Sequence, residues 1–452
     1  MSDTKSKNSL TERQFIFYGL NYIVGFGFIA TISQVIKQGF WGILVFILTS
    51  LITLAVIFAF ARAGEKYQSE VGGSYAYAKK TFKNGIVFFQ GWNQVSQIML
   101  FSATTPLFFS SLLTSFDHPS RKWIYVAISL VIYIALILAG AFGFRLSKWI
   151  VFITGIFKWL TLFVGFGLII YLISSSKSYG ESFKEVAPFS ILGFSGTVLS
   201  FIYSYGGFES LATISKNVET KRFKKVMILI FLIVIFSYFL FYIIFLGLGN
   251  EYLSDFGLET VYKVLWGSAG TSLFTIGLAF NRMSGAIASV QPRARYISPL
   301  AEDGFLPAFL AKKNKYNEYQ NAIYLSVVIV ILSSLIFTII PEIFGLKNSF
   351  DTILKAGNIS FLVQYLLSIF TVLVWKWRKN EYIPLWETII YILGMITISF
   401  TLIFSQLPFI GSEKITFQQF IPLISYVSSM LIGYFVKFFM WISKKKKKKQ
   451  HL

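Results

Sequence analysis

Ile23-Val24-Gly25-Phe26-Gly27-Phe28-Ile29 and Tyr203-Ser204-Tyr205-Gly206-Gly207-Phe208-Glu209 each set two glycines near the middle of an apolar run of membrane length. Glycine lacks a Cβ, so the backbone can leave the helix there and expose its N–H and C=O groups. At membrane depth such backbone is tolerated only where it lines a protein cavity. A half-helix N-terminus would then offer partial positive charge to a carboxylate, and loose carbonyls would accept from an ammonium. Either pair alone reads more readily as a small-residue packing surface. Together they lie in the first and sixth apolar runs, matched places in two five-helix halves, as expected of an inverted-repeat carrier.

Composition sets the frame around these stretches. The 452 residues are 55% hydrophobic, 19% aromatic and 13% charged, against about 25% charged in a soluble domain. At about 20 residues per span, the apolar stock fills on the order of twelve spans. The runs lie at roughly 15–34, 39–60, 85–113, 122–141, 148–173, 190–214, 226–249, 265–291, 321–341, 350–375, 384–406 and 416–442. This pattern predicts an all-α integral membrane protein of about twelve transmembrane helices. It excludes a water-soluble enzyme, a nucleic-acid module and a disordered scaffold. The first 14 residues are polar and no small-residue cleavage pattern follows the first run, so an uncleaved helix is expected.

The net charge of +21 is distributed by side rather than gathered into a nucleic-acid face. With the N-terminus inside, the inner segments hold 29 of the 41 Lys and Arg and the outer loops 8. That asymmetry places both termini in the cytoplasm of a plasma-membrane protein. The run Lys444 to Lys449 then reads as a positive-inside anchor against anionic lipid. With no Cys there is no disulfide, thiolate metal site or thiol nucleophile. His118 and His451 fall in a loop and at the tail, so no histidine metal site or intramembrane general base is expected. No metal or cofactor is expected, and no Gly-x-x-x-x-Gly-Lys-Ser/Thr loop for ATP is present.

Ionisable residues inside spans cost about 2.5–3.5 kcal/mol at mid-helix and are functional candidates by default. Lys158, a third of the way along the fifth span, is a candidate for proton exchange, with snorkelling as the bland alternative. Glu209 follows the second glycine pair and could accept protons, latch a gate or serve only as a hydrogen-bonding brace. Lys355 reads as snorkelling to the outer face. Arg282 has no account at this level. The segment Ser69 to Lys80 reads as a short amphipathic element along the inner interface. Pro292 to Pro307 reads as a helix leaving the membrane and turning.

These residues together resemble the amino acid–polyamine–organocation transporters over about the first 380 positions. Gly25-Phe26-Gly27 is similar to that family's Gly-Ser-Gly-Ile stretch. Gly72-Gly73-Ser74-Tyr75-Ala76-Tyr77 with Gly91-Trp92 is similar to its first cytoplasmic loop and third-span entry. Tyr205-Gly206-Gly207-Phe208-Glu209 with Lys216-Asn217 resembles its Gly-Phe-Glu and Lys-Asn-Pro pattern. Arg295 with Ala301-Glu302-Asp303-Gly304-Phe305-Leu306-Pro307 resembles its Ala-Arg-Asp-Gly-x-x-Pro. The resemblance implies a LeuT-type fold of five plus five inverted helices with two added. The boundaries are a tail at 1–14, a transport core at 15–375 (repeats 15–173 and 190–375), accessory helices at 384–442 and a polybasic tail at 443–452.

It also implies a small-molecule amino acid substrate held by Ile23, Gly25, Phe26, Gly27, Tyr203, Ser204, Tyr205, Gly206 and Phe208. Tyr203, Tyr205 and Phe208 would close over that substrate. Lys158 matches the family's fifth-span lysine, which stands where sodium-coupled relatives hold an ion. Coupling or gating through Lys158 and Glu209 follows, with proton-coupled or exchange transport. Three departures stand out: Phe26 replaces a small or hydroxyl residue, Val218 a proline, and Gln320-Asn321 another proline. The expected function is a secondary amino acid permease working by alternating access. A polyamine or other organocation carrier is the near alternative. A multispan enzyme lacks a loop domain to carry a catalytic site, and a channel lacks identifiable polar rings.

Overall fold

A helix apolar on all faces is stable only inside lipid or a large core, and each apolar run carries helix among its described residues. The computed structural model describes residues 9–115, 121–139, 144–176, 189–253, 257–343, 349–407 and 416–450, with Tyr179 and Phe183. Residues 1–8 of the N-terminal tail, His118 and His451 lie outside the described residues.

Span 1 comprises Glu12–Ile23 and Phe26–Ile36, and span 2 is Phe40–Lys66. Span 3 comprises Asn84–Phe101 and Thr104–Ser115. Span 4 is Lys122–Ala139 and span 5 Phe144–Ser176. Span 6 comprises Ile191–Phe201, a 3₁₀ turn Ile202–Tyr205, and Phe208–Thr213. Span 7 is Phe223–Phe245. Span 8 lies in Gly257–Glu302, which is interrupted at Gly267. Spans 9 to 12 are Gln320–Ile343, Ser349–Trp377, Leu385–Gln406 and Ile421–Gln450.

Among the described residues, eight helices taken singly are long and apolar enough to cross a bilayer. The two halves of span 1, bent by 49°, make a ninth. Spans 3, 4 and 6 do not meet that measure over their described residues. Span 4 is described only over Lys122–Ala139, span 6 is broken, and span 3 carries Gln90, Asn93, Gln94 and Gln97, all buried. Three of those amides, Gln90, Asn93 and Gln97, face span 10, where Asn93 Nδ2 donates to Ser360 O at 2.9 Å and Gln97 Nε2 to Gln364 Oε1 at 2.5 Å. The outside of the bundle is apolar, with Val131, Phe163, Phe236 and Phe435 each more than 60% exposed, the surface that lipid requires.

Two expectations are corrected. The segment Ser69 to Lys80 does not lie on an interface: Ser74–Lys79 is a short helix with Ser74 through Ala78 buried. Gln364 Nε2 donates to Ser74 Oγ at 2.8 Å, and Gln94 Nε2 to Gly72 O at 3.2 Å. Burial and the Asp303 carboxylate that accepts from its hydroxyl raise the Tyr75 phenol above its ordinary range. The turn expected from Pro292 comes later, since the helix runs through Pro292 and Pro299 to Glu302. Lys355, expected to snorkel outward, reaches toward the outer end of its helix. Its Nζ pairs with Asp351 at 2.8 Å, one turn away.

Candidate functional site

Span 1 breaks at Val24-Gly25. Leu20 O accepts from Val24 N, and the next helical bond is Ile29 N to Gly25 O. The amides from Gly25 to Phe28 therefore head the second half-helix, the positions with no intrahelical acceptor. A Cβ on Gly25 would come 2.7 Å from Asn281 Nδ2. Span 6 breaks at Gly206-Gly207, where Gly207 has φ +131°, a conformation that L side chains rarely adopt. Here the N-terminus of the short helix is already capped. Glu209 Oε1 accepts from Gly207 N at 2.9 Å, and Tyr365 Oη donates to Oε2 at 2.9 Å.

The two breaks are tied together. Thr31 Oγ1 donates to Gly27 O at 2.7 Å and lies 2.8 Å from Ser204 Oγ. Tyr238 Oη, from span 7, lies 2.6 Å from Ser204 O and 3.3 Å from Ile23 O, touching carbonyls of both broken spans. Tyr238→Phe should cost about 0.5–1.5 kcal/mol, the usual net worth of a hydrogen bond. A lower unfolding temperature in detergent would report it.

Lys158 does not snorkel. It is 1% exposed, and its Nζ donates to Asn21 O at 2.8 Å and Val24 O at 2.5 Å. These carbonyls belong to the frayed end of the first half-helix, so the ammonium satisfies acceptors that the break releases. Trp159 Nε1 donates to Asn21 Oδ1 at 2.8 Å, fixing the same corner.

A cavity of about 160 Å³ lies against the break, with walls from spans 1, 3, 4, 6, 8 and 10. That is far more than a single water needs. Of the residues expected at the site, Ile23, Gly25, Phe26, Gly27, Tyr203, Gly206 and Glu209 line it. Ser204, Tyr205 and Phe208 do not. Ser204 is buried against Thr31, Tyr205 turns to Ser50 at 3.1 Å, and Phe208 packs edge-on to Phe231. Tyr203 instead shares the cavity wall with aromatics from spans 3 and 10. Its ring stacks on Phe101 at 5.4 Å, and Phe101 lies 4.7 Å from Phe361.

The largest omission of sequence reasoning is span 8. Arg282 and Arg293 both line the cavity. The Arg282 guanidinium lies 3.2 Å from the centre of the Phe26 ring and 5.0 Å from that of Phe108. Its Nη1 is 3.5 Å from Tyr203 Oη. Arg293 Nη2 donates to Tyr133 Oη at 2.8 Å. The signal was present as helical spacing: Arg282, Gly285, Ala286, Ser289 and Arg293 share one face, with small residues between the two arginines. A second groove, of about 680 Å³, is lined by apolar side chains such as Ile86, Phe89, Leu366 and Phe370 and offers a zwitterion little to bind.

Comparison with known proteins gives the family. The profile of a family described as amino acid permease matches residues 10–435. The uncharacterized protein MG225 of Mycoplasma genitalium is 28% identical over 94% of this chain and 93% of its own length. The uncharacterized protein MG226 of the same organism is 29% identical over 100% and 99%. The uncharacterized transporter Mb2001c of Mycobacterium bovis is 24% identical over 67% and 68%. The chain belongs to an amino acid permease family of the amino acid–polyamine–organocation superfamily: it is a multi-pass membrane transporter of small molecules, not an enzyme.

Proposed function

We propose that the chain is a secondary active permease that carries an amino acid across the plasma membrane by alternating access, with both termini in the cytoplasm. The observation that carries this reading is the Val24-Gly25 break, whose half-helix N-terminus opens on the cavity. Backbone amides there suit an α-carboxylate, so the hydroxyl lost by having Phe26 is not needed. Tyr203 closes one wall. Glu209, held by Gly207 and Tyr365, latches the second break. Lys158 already supplies an ammonium to two carbonyls at the first break. That favours coupling by proton or by exchange over a bound sodium ion. The two repeats at 15–173 and 190–375 would rock about this point, with 384–442 as accessory helices and the polybasic end on anionic lipid.

Purified protein in liposomes is expected to accumulate or exchange labelled amino acid, and a cognate amino acid should raise its unfolding temperature in detergent. Absence of both effects across the twenty amino acids would end this reading.

A further inference from the structure

The arginines of span 8 narrow the substrate class, an inference that rests on the permease reading above. Arg282 is 8% exposed, and its Nε and Nη2 have no hydrogen-bond partner. Arg293 Nη1 is also buried without one. Among the described residues, neither guanidinium forms an ion pair. Glu209, the carboxylate that lines the same cavity, already accepts from Gly207 N, Tyr365 and Ser210. A guanidinium stays charged in a protein, and leaving one buried without a counter-charge is costly.

The surroundings prepare that charge for an anion. Phe26, the residue at which this chain departs from the usual small one, lies beneath the guanidinium as a flat platform, and stacking of this kind suits Arg. Gly285, Ala286 and Ser289 line the cavity between the arginines and keep that face shallow. The bound solute would meet amides at Gly25 to Gly27 and a planar cation fork beside them, so two separate anionic groups can be met at once.

We infer that the transported amino acid is dicarboxylic, with its α-carboxylate on the span 1 amides and its side-chain carboxylate on Arg282, Arg293 lying further along the same wall. The test is counterflow of labelled glutamate, aspartate, glutamine and asparagine in proteoliposomes. The wild-type protein should exchange an acidic amino acid with higher kcat/KM than its amide. Arg282→Gln should lower the acid-to-amide ratio of kcat/KM by about 30-fold or more, the low end for losing one partner of a buried charge pair. Arg282→Lys should keep part of that ratio, and melting curves would confirm that both variants fold. Wild-type preference for the amides, or an unaltered ratio in folded Arg282→Gln, would overturn the inference and leave the permease reading standing. If none of the twenty amino acids is exchanged or raises the unfolding temperature, the permease reading itself falls.

Discussion

Gly27→Val is expected to abolish uptake while the protein still inserts and folds. Gly27 is not in the unwound stretch; it is the second residue of the half-helix that starts at Phe26. A Cβ there would come 2.8 Å from Tyr203 O and 3.1 Å from Ser204 Cα. Both are backbone atoms, so no rotamer change relieves the clash, and the two broken spans must separate. Overpacking of this kind costs about 1–3 kcal/mol, enough to disturb a cavity wall without unfolding twelve helices. Gly27→Ala carries the Cβ without the γ carbons and should reduce uptake by less. Uptake would be compared at equal amounts of monodisperse protein. Wild-type uptake by the valine variant would remove the break from the transport pathway.

Lys158→Ala should flatten the pH dependence of whatever uptake remains. The substitution takes the donor away from Asn21 O and Val24 O, and each buried acceptor left without a partner costs about 1–3 kcal/mol. Lys158→Met separates the effects, because it restores most of the volume but no donor. If the lysine couples proton movement to the break, both variants lose the pH response, and methionine recovers only thermal stability. If uptake by Lys158→Ala varies with pH as in the wild type, the residue is a brace for the frayed helix end.

The glycine pairs were legible because the breaking of a membrane helix is a local property. What each neighbour faces is not local, and there the sequence misled. Tyr203 and Tyr205 were both expected to close over the substrate. Residues two apart on a helical turn do not share a face, so once Tyr203 lines the cavity Tyr205 must turn away, and it does, to Ser50. Lys158 could be seen as out of place in an apolar span, but its acceptors lie more than 130 residues earlier in the chain. Nothing near Lys158 announces them. Arg282 was equally visible and equally unexplained, since its platform, Phe26, is on another span. The same holds for Ser74–Lys79, whose aromatic alternation looks interfacial until the amides of spans 3 and 10 are brought against it.

The chain just before span 1 pairs with the chain just after span 6, Leu10 with Val218 and Thr11 with Glu219, as two parallel residues each. Glu12 adds an ion pair to Arg222 at 3.1 Å. Broken helices joined by Tyr238 at mid-depth and by this zipper at one rim cannot shear past each other freely. Tied at two depths, they form one stave. A tag or deletion that unpicks residues 9–12 would loosen that rim while leaving the cavity beside the glycine breaks in place.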